Sequence, residues 1–581
     1  GFDDSAWPSA NALGVPPCTP WNNLIERPIP QWKDYGLRDY TNATELPKIS
    51  DGQPIIAKLP YNAQVTPYLK IEGPAGQLVQ LATDHSGIAE SVRAEYVTRD
   101  GVQEYESLGW MNGHEVHYTI PAGFKIHALK FRETGYDTEF TGTFECDDPF
   151  LNTLRQKSLR TLYITMRDTY MDCPDRERAQ WWGDLVNEMG EAFYALDPRA
   201  NALTLKGILE LANWQRSDNT LYSPIPAGNR DIELPTQMLN SVGYYGFWTY
   251  YLYSGDLDTI RQVYPAVKRY LSVWQIGPDG LVAPRKLRRI WGDWGENIDM
   301  PILFNTWFYL ALKGQKLMAE ALGETDDLPE ITARMQSIEQ NFNKTFWTGD
   351  EYRSPDHKDQ TDDRANALAV LAGLAKPDQY EAIRKVLMTQ EHSSPYMEKY
   401  VGEALYQMGF ADDAIARTKK RFAPMVESPH TTLRELFNNR GTFNHAWSGG
   451  TLTLLSQYAA GISPTSPGYA TYQILPQMGP LKHIKTIVPS VKGEIPLELR
   501  NDPDAFSLNL VSPKDTTATI GIPKPTDRKI ETVTINDKIV WENGEIVANA
   551  DGVAFAGEDA NYLIFRLPPG TWEIAAKFSV K

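Results

Sequence analysis

Three times in the middle of the chain, an apolar run with helical spacing stops at a glycine and a new helix begins at once. The junctions read "GDLDTI" from Gly255, "ETDDLPEI" just after Gly323 and "FADDAI" just after Gly409. Glycine supplies the left-handed residue that ends a helix, and aspartate suits the N-cap of the next one. Each junction therefore predicts two antiparallel helices joined by a short loop. Hairpins of this kind, repeated over about 330 residues, predict a closed ring of helices rather than a flat bundle. No fixed sequence period accompanies them, so a solenoid is not expected.

The flanks have a different period. "GQLVQLAT", "EVHYTIPAG" and "KIHALKFRETGY" alternate or are β-branched and aromatic between Gly, Pro and Asp, and predict an antiparallel sandwich. "TTATIGIP", "IETVTIND", "KIVWENGEIV" and "NYLIFRLPPGTWEIAAKF" predict a second sandwich at the C-terminal end. At the first switch Asp148 suits an N-cap and Pro149 the first helical turn. The expected division is a Pro-rich tail and linker over 1–45, a β-sandwich over 46–146, a helical domain over 147–479 and a β-sandwich over 480–581. "GFDDSAWPSA" reads as the end of a module that starts before Gly1, and the absence of a leader-like segment reads as a trimmed product.

The 581 residues carry a net charge of −17, and no strongly basic stretch argues for a nucleic-acid partner. No apolar run of about 18 residues predicts a membrane span. Three cysteines are too sparse for a disulfide framework, and no metal-ligand spacing is present. No cofactor is expected. The sequence fixes no oligomeric state.

Residues 172–184, "DCPDRERAQWWGD", crowd carboxylates, guanidinium groups and tryptophans onto the connection between the first two predicted helices. Connections on a rigid scaffold are favoured places for catalytic groups. Cleavage of a glycosidic bond needs one carboxylic acid for the leaving oxygen and a second carboxylate for water or the anomeric carbon. Arg176 and Arg178 flank Glu177 and favour its charged form, whereas Asp172, Asp175 and Asp184 favour its protonated form. The same residues could instead be an ion-pair network tying two helices together, and the stretch alone leaves both readings open.

The pattern D-C-P-x-R-E-R followed by W-x-G-D resembles the signature of bacterial α-L-rhamnosidases of glycoside hydrolase family 78. The resemblance extends from about Gln77 to the end, and "FDDSAW" resembles the close of that family's N-terminal sugar-binding-like module. It implies an (α/α)6 six-hairpin barrel flanked by β-sandwiches. It implies that Glu177 is the general acid, that Asp172, Arg176 and Asp184 hold sugar hydroxyls, and that Trp181 lines the sugar pocket. Cys173 and Pro174 then shape the turn, and Trp182 is expected in the core. "WGDWGEN" from Trp291 resembles a family segment that makes Trp294 a second pocket wall. "TTLRELF" from Thr431 makes Glu435 the general base, and "FNHAWSGG" from Phe443 makes His445 a substrate ligand.

The chain departs from the family pattern in two places. Arg434 stands where an aromatic residue usually precedes the base. "DIELPTQM" from Asp231 replaces a Gly-Asp-Ala-Ala stretch and makes Glu233 a rival acid, base or subsite contact. The resemblance implies an exo-acting, inverting hydrolase for terminal α-L-rhamnose, with the two carboxyl groups about 6.5–9.5 Å apart. Its partner is a carbohydrate, and its expected location is the periplasm or cell exterior. A different six-hairpin glycosidase, or a non-catalytic carbohydrate-binding protein on the same scaffold, are the alternatives.

Overall fold

The computed structural model describes residues 3–19, 25–84, 93–226, 232–438, 440–548 and 552–580. Its centre is a double ring of helices. The inner ring comprises α2 (Trp182–Ala195), α4 (Pro235–Val242), α7 (Met300–Leu322), α9 (Asp363–Leu371), α11 (Pro395–Gln407) and the segment 446–459 that contains α13 (Thr451–Leu454). Each touches the next, and the segment at 446 returns to α2, so the ring closes. Between them run the outer helices α1 (Pro149–Ile164), α3 (Ala200–Asn213), α6 (Leu257–Ser272), α8 (Leu328–Phe346), α10 (Tyr380–Thr389) and α12 (Ala411–Val426). A short α5 (Thr249–Ser254) finishes the helix that α4 begins.

The division between rings follows the side chains. Every residue of α4 and α9 is buried, as expected for helices enclosed on all sides. In α6 the buried residues include Ile260, Val263, Tyr264, Val267 and Leu271, the single stripe of an amphipathic helix.

The three glycine junctions differ in their second half. Gly255, Gly323 and Gly409 all take left-handed backbone, with φ of 74°, 78° and 88°. Asp256 caps α6 by accepting from the Thr259 N–H at 3.1 Å. At the other two junctions the aspartates hold neighbouring helices instead. Asp327 accepts from Tyr264 and Lys268, and Asp413 pairs with Arg384. Asp148 caps α1 through the Phe150 N–H, with Pro149 in the first turn. The long α4–α5 helix carries a π-helical turn at Tyr244–Trp248, and a second π turn lies at Leu455–Ala459.

Before the barrel, seven strands form one antiparallel sheet: β1 (Lys33–Asp39), β2 (Ile55–Gly73), β3 (Leu78–Thr83), β4 (Ala94–Val97), β5 (Gly101–Glu106), β6 (Met111–Thr119) and β7 (Lys125–Gly135). The long β2 pairs with β6 through its first half and with β5 and β7 through its second. The sheet thus folds over a core that includes Val65, Leu69, Val116, Tyr118 and Phe131.

Three segments lie otherwise than the expected divisions. β1 falls inside the stretch expected to be linker, yet it pairs with β7. β8 (Thr143–Cys146) pairs not with its predecessors but with β11 (His483–Val488), at the edge of the C-terminal eight-stranded sheet. The C-terminal β region begins before 480, with β9 (Ile462–Pro464) and β10 (Thr471–Ile474) in a five-stranded sheet. That sheet contains one parallel pair, β10 with the strand Thr517–Pro523. Of "FDDSAW", Phe2 lies outside the described residues, as does Asp231 of "DIELPTQM". Among the described residues no helix is long and apolar enough to cross a membrane.

Candidate active site

The loops and first turns at the N-terminal ends of α2, α4, α7 and the segment at 446 enclose a cavity of about 490 Å³. All eight residues singled out in the sequence line it: Asp172, Arg176, Glu177, Trp181, Asp184, Trp294, Glu435 and His445.

The loop 172–178 is held from several directions. Asp172 is buried and accepts the Ala179 N–H at 3.0 Å, while its own N–H donates to the Ala179 carbonyl at 2.9 Å. The Cys173 thiol donates to Asp172 Oδ2 at 3.2 Å, and burial pushes its pKa up, so it acts as an uncharged prop in the turn. Arg178 adopts left-handed backbone with φ 52°. Its Nε donates to the Pro174 carbonyl at 2.8 Å, and its guanidinium lies 3.5 Å from the centre of the Trp110 ring. Arg178 thus buttresses the loop from behind, whereas Arg176 and Glu177 face the cavity. Trp182 is buried and packs edge-on against Phe247.

The two candidate carboxylates have different surroundings. Arg176 Nε donates to Glu177 Oε2 at 2.9 Å. Burial raises the pKa of Glu177, but the hydrogen bonds from Arg176 and Asp172 outweigh it, and the net direction is down. Asp172 moves the other way. Burial, reinforced by the charges of Glu177 and Asp184, lifts it well above the usual carboxylate range against the pull of His445. Burial and like charge thus favour the protonated form of Asp172, and Arg176 favours the charged form of Glu177.

Glu435 is buried, and the Thr442 N–H donates to its Oε2 at 2.9 Å. The Thr442 hydroxyl reaches the same oxygen at 3.3 Å and stands 2.8 Å from His445 Nδ1. Both bonds fall on Oε2, and Oε1 has no hydrogen-bond partner among the described residues. His445 Nε2 lies 2.7 Å from Asp184 Oδ1. Burial alone would lower the imidazole pKa. The bond to Asp184 and the charges of Glu435 and Asp172 reverse that and raise it to about 9, so the ring is an imidazolium at neutral pH. His445 is thus a cation held between two carboxylates.

Asp172, Cys173 and His445 also bring ligand-type atoms within 4.8 Å of one another, the one such group among the described residues. A metal would need a thiolate and a neutral imidazole. Without a metal, burial favours the protonated thiol and Asp184 favours the charged ring, so a metal bound here would have to displace both protons.

Glu233 does not line the cavity. It is bound by Arg285 at 2.7 and 3.2 Å and by the Tyr270 hydroxyl at 3.1 Å. Arg434, in the place of the family's aromatic residue, stacks 4.8 Å from the Phe443 ring centre.

Sequence reasoning missed several lining residues: Leu234, Gln237, Arg289, Trp291, Leu436, Gly441 and Trp447. Trp291 and Trp447 stand inside quoted motifs, but only their stacking, at 20° and 6.5 Å between ring centres, reveals a shared wall. Asp293 fixes the "WGDWGEN" loop. It accepts from the Ser394 N–H at 2.8 Å and pairs with the fully buried Arg364 at 3.2 Å. Arg289 belongs to "RKLRR" at 285–289, a small basic block in a chain read as having none.

The bacterial α-L-rhamnosidase six-hairpin glycosidase domain matches residues 139–459, and the bacterial α-L-rhamnosidase C-terminal domain matches 461–535. A curated α-L-rhamnosidase of Formosa agariphila is 23% identical over 613 residues, covering 92% of this chain and 61% of the relative. The chain thus spans about three fifths of that relative's length. The solved α-L-rhamnosidase from Dictyoglumus thermophilum superimposes with a TM-score of 0.80 at 18% identity, over 94% of this chain and 64% of that one. The Streptomyces avermitilis α-L-rhamnosidase, solved with L-rhamnose, gives 0.80 at 18%, over 95% and 54%. At these identities the two structures establish the fold.

Proposed function

The chain belongs to the bacterial α-L-rhamnosidase six-hairpin family, and from that premise we propose that it is an exo-acting glycosidase that removes terminal α-L-rhamnose with inversion. The observation that carries the reading is the convergence of eight side chains from three separated stretches of the chain on one cavity, with Glu177 and Glu435 among them. Asp172, Asp184 and the imidazolium of His445 offer hydrogen-bond partners to sugar hydroxyls, and Trp181 and Trp294 offer apolar faces to the sugar.

Glu177 protonates the leaving oxygen. In the free protein Arg176 favours its charged form, while burial favours the protonated form of the neighbouring Asp172. Substrate that draws Arg176 onto a hydroxyl and excludes water removes what keeps Glu177 charged. Glu435 deprotonates water. Thr442 fixes Oε2 and orients the carboxylate, which leaves Oε1 for the water. His445 stabilises the charged carboxylates and gives up no proton at neutral pH.

The test is hydrolysis of an aryl α-L-rhamnoside followed by proton NMR. Inversion releases β-L-rhamnose first, and α-L-rhamnose appears only by mutarotation. Early α-anomer would overturn the single displacement. Rhamnose binding with no turnover by the intact chain would favour a binding protein instead.

A further inference from the structure

The cavity has an unbalanced cation at its rim. Arg176 and His445 are both spent on carboxylates, Glu177 and Asp184. Arg289 also lines the cavity, is exposed, and has no ion-pair or hydrogen-bond partner among the described residues. Two neighbours on the same stretch, Lys286 and Arg288, are likewise exposed and unpaired among the described residues, whereas Arg285 is neutralised by Glu233. Three cations with no partner among the described residues, within a stretch of four, stand out in a chain of net charge −17.

Their place gives them a task. The stretch runs straight into Trp291 and Trp294, which wall the cavity, and the Asp293–Arg364 pair fixes that segment. In a pocket that admits a terminal sugar, whatever that sugar is attached to must leave through the mouth. The deep residues Asp172, Asp184 and His445 are buried, whereas Arg176, Arg289 and Trp294 are exposed in the lining; with Arg176 paired to Glu177, Arg289 beside Trp294 is the cation left to face the leaving group. A guanidinium beside an indole suits a ring that carries an anionic substituent, because arginine binds carboxylate and sulfate oxygens in bidentate fashion while the indole takes the ring face.

Resting on the glycosidase reading above, we propose that the site selects rhamnosides whose leaving group is an acidic sugar bearing a carboxylate or sulfate ester, and that Arg289 determines this specificity.

The experiment compares kcat/KM for three disaccharides, α-L-rhamnosyl-glucuronic acid, α-L-rhamnosyl-glucose and its sulfated counterpart, in the wild type, Arg289→Ala and Arg289→Lys. The wild type should prefer one of the acidic substrates over the neutral one. That ratio should fall roughly tenfold in Arg289→Ala, since hydrogen bonds to charged groups are the stronger class. Arg289→Lys should recover part of it, and added salt should erode it. Whichever acidic substrate shows the dependence identifies the anion. An acidic-to-neutral ratio unchanged by Arg289→Ala, or a wild type that prefers the neutral substrate, overturns the inference and leaves the glycosidase standing. Failure of the wild type on all three, and on the aryl rhamnoside, overturns the glycosidase reading and the inference with it.

Discussion

Asn444 donates its side-chain amide to both carboxylate oxygens of Asp175, at 3.1 and 2.9 Å. The bond joins the loop of Glu177 to the loop of Glu435 across 269 residues of sequence. Asn112, on the N-terminal sheet, donates to the same Asp175 at 2.7 Å, so the sheet is tied into the knot. None of these three lines the cavity, yet together they fix how far apart the two candidate carboxylates stand. A displacement of about 1 Å at a catalytic group can cost on the order of a hundredfold in rate. Asn444→Ala should therefore lower kcat by roughly ten- to a hundredfold with a smaller change in KM. It should also destabilise the fold by about 1–3 kcal/mol, because a buried carboxylate loses donors. Kinetics beside a denaturant titration separates the two effects.

The assignment of acid and base can be read from leaving groups. A poor leaving group needs protonation, and an activated aryl group needs it little. Glu177→Gln should lose about 10²–10⁴ in kcat on an unactivated rhamnoside and far less on a nitrophenyl rhamnoside. Glu435→Gln should lose a similar factor on both, because water must be deprotonated whichever group departs. Equal losses for Glu177→Gln on both substrates would remove it from the acid role.

His445 makes stability depend on pH in a defined direction. Its folded pKa of about 9 lies above its ordinary 6.5, so the folded state holds the proton more tightly. The stabilisation is complete below about pH 6.5 and is lost as pH rises to about 9. It amounts to something on the order of 3 kcal/mol, at 1.36 kcal/mol for each unit. Denaturant unfolding from pH 6 to 10 should show this decline, and His445→Gln should flatten it. Activity should fall over the same range, because a neutral ring no longer holds Asp184 and Glu435 as a cation would.

The ring of hairpins was legible because a left-handed glycine is a local requirement, met at Gly255, Gly323 and Gly409 regardless of what surrounds them. The aspartates after them were less so. Asp256 caps its own helix, but Asp327 and Asp413 found stronger partners on neighbouring helices. β8 escaped for the same reason, since its partner β11 lies more than 300 residues away and only tertiary pairing identifies it. The candidate site divides likewise. Glu177, Asp184 and His445 stand in motifs with a stated chemistry. Trp291, Trp447 and Arg289 acquire their place from contacts between loops that no local pattern records.

The buttress behind Glu177 yields the last prediction. Arg178 lies against one face of Trp110 at 3.5 Å, and Arg167 lies 4.6 Å from the same ring centre and 3.9 Å from that of Trp32. The order is indole, guanidinium, indole, guanidinium, and it runs from the N-terminal region to the residue next to Glu177. Arg178 also holds a left-handed backbone that a non-glycine residue seldom adopts, so something must fix it there. Its side-chain bond to the Pro174 carbonyl closes the turn, and Trp110 supplies the surface against which that turn is pressed. A partly desolvated cation–π contact is worth about 1–2 kcal/mol. Trp110→Ala should cost about that much in stability and should lower kcat at the same time, since the loop that carries Glu177 loses its support. Trp110→Phe keeps an aromatic face and should restore most of both. If Trp110→Ala lowers stability but leaves kcat intact, the N-terminal sheet merely packs on the barrel and takes no part in placing the acid.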